Sequence, residues 1–184
     1  MKIFISGGCK NGKSFYGQHL AKKQQEGRNL YYIATMTAVD NEDDERIHKH
    51  RANREGWGFI TIEQHSNIQN ILDSCNHTGS FLLDSLTALL ANEMFLQDGN
   101  VFVSAAEKIT KELSLICEKV NNIVIVSDYI YSDAAIYDPL TEMYRNSLAA
   151  LDRFVARHCD VVLEISNTQV ILHKGGGDTL EKIG

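Results

Sequence analysis

The chain has 184 residues, 43% of them hydrophobic and 23% charged, with a formal net charge of −6. That length suits one domain whose core needs no disulfide or metal to hold it, and the acidic balance excludes sequence-independent nucleic-acid binding, which needs a basic surface. Cys9, Cys75, Cys117 and Cys159 form no C-x-x-C pair and read as buried thiols of a reducing compartment. The apolar run after Met1 and Lys2 is too short for a leader, and no run reaches the ~18 residues of a membrane span. The expectation is a cytoplasmic protein with no membrane span.

Taken in chain order, apolar runs alternate with helical patterns, the signature of a parallel α/β sheet. Strands are predicted over residues 2–6, 30–35, 59–62, 81–84, 123–127, 161–165 and 169–173. Several are continuously apolar, as strands covered on both faces are. Helices are predicted over 13–26, 43–54, 68–74, 86–95, 103–120 and 140–157. Gly27 suits a helix C-terminus, and the single proline, Pro139, stands where the 140–157 helix should begin. The last two strands should form a hairpin across 166–168, giving an antiparallel edge, and the Gly-rich tail from Gly175 should fray. The fold class is therefore α/β of the P-loop NTPase type (RecA-like): a mostly parallel sheet with an antiparallel C-terminal edge and helices on both faces. One domain, 1–184, should carry it.

Gly7-Gly8-Cys9-Lys10-Asn11-Gly12-Lys13-Ser14 fits G-x-x-x-x-G-K-[ST] at every fixed position, between a predicted strand and a predicted helix. Such a loop turns backbone N–H groups inward around phosphate oxygens, and the helix N-terminus adds positive potential. Lys13 should reach the β- and γ-phosphates of ATP or GTP, and the Ser14 hydroxyl should bind Mg²⁺. Asp84 ends an apolar strand. It is either the carboxylate that holds Mg²⁺ beside the phosphates or a cap for the helix starting near Leu86.

Arg46, His50 and Arg54 are spaced i, i+4, i+8 and form one row on a helix. Flanking cations disfavour imidazolium and keep His50 neutral and nucleophilic, and the arginines can grip a triphosphate. His48 points elsewhere, about 200° round the helix. The alternative is a solvated face paired with the acidic run 42–45.

These residues resemble a known family. The P-loop, then Tyr32-Ile33-Ala34-Thr35, then Asp40-Asn41-Glu42 ahead of Arg46-Ile47-His48-Lys49-His50-Arg51 and Arg54, are similar to the opening of the bifunctional adenosylcobinamide kinase / adenosylcobinamide-phosphate guanylyltransferases. Leu83-Asp84-Ser85-Leu86-Thr87 resembles that family's L-D-C-L-T, Asn92 matches an Asn in its next helix, and similarity resumes at 124–127, at Leu140 with Tyr144-Arg145, and near Asp160. The resemblance implies one site that phosphorylates cobinamide and then transfers GMP from GTP through a guanylylated histidine. His50 falls on that histidine. Gly7 to Ser14, Thr35, Arg46, Arg51 and Arg54 fall on nucleotide-binding positions, and Ser14 and Asp84 on the metal positions. It also implies a homo-oligomer, a trimer. Two alternatives are a P-loop transferase of the same family with another small acceptor, and a nucleotide-responsive regulatory protein without turnover.

The chain departs from the family in places. The family's N-E-V-G-x-G-I-V-P falls on residues 128–136, where Tyr131 and Asp133 replace both glycines, and its Asn-Gln falls on Asp152-Arg153. Two lost glycines imply a rebuilt loop.

Overall fold

The computed structural model describes residues 1–38, 48, 51–52, 54–167 and 169–176. Seven strands form one sheet in the order β3-β2-β4-β5-β1-β6-β7. They are β1 (Lys2–Gly7), β2 (Leu30–Ala34), β3 (Phe59–Glu63), β4 (Ser80–Asp84), β5 (Asn122–Asp128), β6 (Val161–Ser166) and β7 (Gln169–Lys174). The first six pair in parallel, and β7 pairs antiparallel to β6. Among the described residues, the helices that can be bounded are α1 (Lys13–Lys23), α2 (Ile71–Ser74), α3 (Leu86–Met94), α4 (Ala105–Lys119) and α5 (Pro139–His158). Every predicted strand is present, and so is the antiparallel edge.

The strands alternate between two buried layers, as a period of two demands. Phe4, Ile33, Leu83 and Ile125 face one layer, packed with Leu89 of α3, Ile109 and Leu113 of α4, and Leu148 and Leu151 of α5. Ile5, Tyr32, Leu82, Val124 and Val126 face the other layer, with Leu20 and Ala21 of α1. Both faces are covered, which is why these strands read as unbroken apolar runs.

The helix ends differ from expectation for local reasons. α1 stops at Lys23, with Glu26 (φ 47°) and Gly27 (φ 78°) forming the turn beyond it. The 68–74 helix splits into a 3₁₀ turn, Ile68–Asn70, and α2. α4 begins at Ala105, leaving Val103 65% exposed in the turn before it. α5 begins at Pro139 itself, since the Asp138 side chain accepts from Leu140 and Thr141 N–H and so caps the helix. The cysteines correct a prediction: Cys75 and Cys159 are buried, but Cys9 is exposed and Cys117 only partly buried, because the P-loop turn carries Cys9 outward. The 43–54 helix lies largely outside the described residues, which here include only His48, Arg51, Ala52 and Arg54, all helical. The predicted fraying falls mostly on 177–184, also outside them. Among the described residues no helix is long and apolar enough to cross a membrane.

α1 seats directly on the sheet through Gly17. A Cβ there would lie 3.0 Å from Leu82 Cδ1 and 3.2 Å from Val126 Cγ2. Gly17→Val therefore overpacks this contact and should cost about 1–3 kcal/mol of stability. A urea unfolding midpoint equal to that of the parent would show that α1 can lift off the sheet freely.

Candidate functional site

Parallel strands end at the same edge of the sheet, and the loops beyond those ends form its crevice. Here Gly7 ends β1 and pairs in register with Asp128 at the end of β5, while Asp84 ends β4 beside Val126. One glycine loop and two carboxylates converge because three neighbouring strands stop within two residues of one another.

The loop between β1 and α1 is held tightly. A Cβ on Gly7 would sit 2.4 Å from the Ile165 carbonyl oxygen of β6, so only glycine fits. Asn11 Nδ2 donates to that same carbonyl. Gly12 caps α1 at φ 93°, which glycine adopts without strain. Lys13 is 4% exposed. Its Nζ donates to Gly8 O at 2.5 Å and Asn11 Oδ1 at 3.1 Å, and pairs with Asp128 Oδ1 at 2.7 Å. A phosphate reaching this amine competes with the Asp128 carboxylate for it.

Ser14 Oγ donates to Asp84 Oδ1 at 3.0 Å, and Tyr32 Oη donates to Asp84 Oδ2 at 2.5 Å. The alternative reading of Asp84 as a helix cap is not what the structure has: Ser85 caps α3, its Oγ accepting from Ala88 N at 3.3 Å. Burial, and then the Asp84 charge, push the Tyr32 hydroxyl well above its usual range, so it stays a donor. The Arg54 guanidinium lies 3.7 Å from the centroid of the Tyr32 ring, a cation–π contact, and Arg54 is 7% exposed. Burial lowers the Arg54 pKa, but a guanidinium keeps its charge. Ser14, Asp84, Tyr32 and Arg54 form one connected chain of contacts.

The cleft at this edge encloses about 810 Å³ and is lined by Cys9 through Ser14, by Tyr32, Arg51, Arg54 and Asp84, and at one end by Thr87, Ala88, Asp128 and Tyr144. Ser14 and Asp84 supply hard oxygen donors side by side, a pair that fits Mg²⁺. Among the described residues no group of three or more His, Cys, Asp or Glu could hold a metal. A cation here would therefore take its remaining oxygens from phosphate and water, as Mg²⁺ ordinarily does.

Two expected residues have partners of their own. Thr35 is fully buried, and its Oγ1 both donates to Ser85 O and accepts from Ser85 N at 2.7 Å. It ties the end of β2 to the end of β4 and does not line the cleft. Arg51 lines the cleft but pairs with Glu63 at its exposed rim. Arg46 and His50 lie outside the described residues. Sequence reasoning missed two partners: Tyr32 as the second donor to Asp84, and Asp128 as the mate of Lys13. The signal for Asp128 was its place at the end of a predicted strand, but only strand order puts that strand beside the P-loop.

The 128–136 loop is rebuilt around Arg145, which is 6% exposed. Its guanidinium donates to Ile130 O at 3.1 Å, pairs with Asp133 Oδ1 at 2.7 Å and Glu142 Oε1 at 2.6 Å, and lies 4.5 Å from the Tyr137 ring centroid. No residue from 128 to 136 has a positive φ, which removes the need for glycine. Beneath the loop, Tyr131 Oη donates to Asp152 Oδ2 at 2.7 Å. Burial pushes the Asp152 carboxyl up to about 6, against the pull of the hydrogen bond from Tyr131.

A carboxyl that holds its proton more tightly when folded loses stability as pH rises from its ordinary value of 3.8 through about 6, and the full penalty is present above that. Asp152→Asn should therefore stabilise the protein by about 1–3 kcal/mol at pH 8, with the gain vanishing near pH ~4. Denaturant titrations at both pH values check this. An equal effect at both would mean that Asp152 is charged in the fold without penalty.

Comparison with known proteins agrees with this geometry. The family model described as cobinamide kinase / cobinamide phosphate guanyltransferase matches residues 3–170. The bifunctional adenosylcobalamin biosynthesis protein CobP of Pseudomonas aeruginosa is 30% identical over 163 residues, covering 88% of this chain and 91% of its own. The bifunctional adenosylcobalamin biosynthesis protein CobU of Escherichia coli K12 is 29% identical over 102 residues, 54% of each chain. Among solved structures, the flagellar accessory protein FlaH of Methanocaldococcus jannaschii superposes with a TM-score of 0.51 at 13% identity, over 95% of this chain and 78% of its own. The KaiC-like protein PH0186 of Pyrococcus horikoshii superposes with a TM-score of 0.53 at 13% identity, over 96% and 80%. At that identity the last two speak for the fold alone.

Proposed function

The chain belongs to the cobinamide kinase / cobinamide phosphate guanyltransferase family, and on that premise we propose that its single domain phosphorylates cobinamide and then transfers GMP from GTP to the product. The observation that carries the reading is the intact phosphate cradle, with Lys13 held inside the loop and Ser14 set 3.0 Å from Asp84 at the same strand edge.

In the kinase step Lys13 turns from Asp128 to the β- and γ-phosphates of the donor nucleotide. The first-turn N–H groups of α1 hold the remaining phosphate oxygens. Ser14 and Asp84 would hold Mg²⁺, which supplies charge neutralisation to the phosphates when bound. The acceptor hydroxyl oxygen bonds to the γ-phosphorus as the β,γ-bridging bond breaks.

In the guanylyl step a neutral His50 nitrogen bonds to the α-phosphorus of GTP while the bond to pyrophosphate breaks, and the phosphate oxygen of cobinamide phosphate then displaces the histidine. Arg54 and Arg51 line the cleft where charge develops on the α-phosphate. The rebuilt loop favours the same acceptor over a new one, because none of residues 129–137 lines the cleft.

Incubation with GTP and Mg²⁺ should add the mass of GMP to the protein. His50→Ala should abolish this adduct and His48→Ala should spare it. Kinase turnover should survive His50→Ala in part but fall at least ~100-fold in Lys13→Ala, which removes charge from the transferring phosphoryl group. No adduct under conditions where GTP demonstrably binds would remove the guanylyltransferase half of the proposal; near-normal kinase turnover in Lys13→Ala would remove the P-loop assignment. By family resemblance three copies associate, and a monomer mass in light scattering at micromolar concentration would overturn that.

A further inference from the structure

At the outer lip of the cleft stands a group that the phosphate machinery leaves unused. Phe15 lines the cavity yet is 51% exposed. Leaving a phenyl ring half in water forgoes burial energy, and this ring is fixed in that position. His19, one turn along α1, meets it in a T-shaped contact at 4.6 Å, and Trp57 meets His19 in another at 4.6 Å. The Phe15 and Trp57 centroids are 6.0 Å apart. Trp57 is anchored in turn, its carbonyl accepting from Lys22 Nζ at 2.8 Å. Gly56 and Gly58 on either side of it, at φ 79° and 82°, shape the turn that brings it back to α1. Three rings from two chain segments pack as one braced cluster, and Phe15 is the ring of it that lines the cleft.

The position of this cluster relative to the phosphates decides its use. A P-loop holds the β- and γ-phosphates at its lysine and passes the chain across the first helical turn. Phe15 directly follows Ser14 in that turn, so a nucleotide with its terminal phosphate at Lys13 brings its α-phosphate and sugar out beside the Phe15 ring. The other end of the cleft, where Asp128, Thr87 and Tyr144 stand, lies on the terminal-phosphate side and is left to the acceptor.

We propose that Phe15, braced by His19 and Trp57, is the surface on which the purine base of the bound nucleotide stacks. This deepens the nucleotide reading of the P-loop and rests on it. Stacking on an aromatic face is worth about ten- to a hundredfold in affinity and is tolerant of base identity, since every base has a π-face. The platform therefore serves GTP and ATP alike.

Trp57 is the single tryptophan of the chain, so its emission reports on this cluster directly. The probes are GTP and ATP carrying a methylene in place of the α,β-bridging oxygen, which cannot guanylylate the protein, and inorganic tripolyphosphate, which has no base. Both nucleotide analogues should change Trp57 emission, and tripolyphosphate should bind calorimetrically without doing so. Phe15→Ala should weaken both analogues about ten- to a hundredfold and leave tripolyphosphate affinity unchanged. Phe15→Leu, which keeps apolar bulk but no ring, should behave like the alanine variant, and Phe15→Tyr should restore binding. Unchanged analogue affinity in Phe15→Ala, full binding in Phe15→Leu, or a change of oligomeric state with nucleotide affinity intact would each overturn the stacking assignment. Failure of the parent to bind tripolyphosphate would instead overturn the P-loop reading beneath it.

Discussion

Six parallel strands must all end at the same edge, and in the order β3-β2-β4-β5-β1-β6 this places the polar ends of three of them in adjacent lanes. Gly7, Asp128 and Asp84 meet there because of that order. Everything else in the cleft is arranged around this convergence. Gly7 can turn only because it has no Cβ to strike the Ile165 carbonyl of β6, and Asn11 locks the loop to that same carbonyl. With the loop fixed at both β1 and β6, Lys13 has a defined place, and α1 presses its Gly17 onto Leu82 and Val126 to keep it there.

The cleft has two chemically different walls. On one side a carboxylate, Asp84, gathers Ser14 and Tyr32, and the Tyr32 ring carries the buried guanidinium of Arg54. A buried cation over a ring face and a half-buried carboxylate taking two hydroxyl donors are each satisfied locally, so these side chains are already held in position when phosphate arrives. On the other side, Lys13 and Asp128 neutralise each other at 2.7 Å. Phosphate entry there exchanges one anion for another around the same amine, which limits the desolvation cost of binding.

The loop after β5 shows how a chain can leave a family pattern and still be ordered. The family's glycines are lost, and a single buried arginine, Arg145, takes over the ordering by gripping Ile130, Asp133 and Glu142. With no positive φ between 128 and 136 the backbone has no use for glycine. Asp152, where the family has Asn, sits beneath this loop with a raised pKa. Its cost falls on stability rather than on the cleft, which it does not line.

By itself the sequence determined the local features. The P-loop, the seven strands, the helix start at Pro139 and the hairpin at the C-terminal edge all follow from spacing, residue type and apolar period, which act over a few residues. Tertiary structure alone decided what crosses between elements. Asp84 stands where a helix cap could, but it is the Ser85 side chain that caps α3. Thr35 follows β2, and the pairing of β2 with β4 is what buries its hydroxyl against Ser85. Lys13 and Asp128 are 115 positions apart, as are many pairs that never meet, and only the adjacency of β1 and β5 makes them partners. Phe15 and Trp57 likewise belong to separate runs, joined only when the turn before β3 folds back on α1. Strand order and helix docking are set by the packing of the whole core, and no local pattern in the chain encodes them.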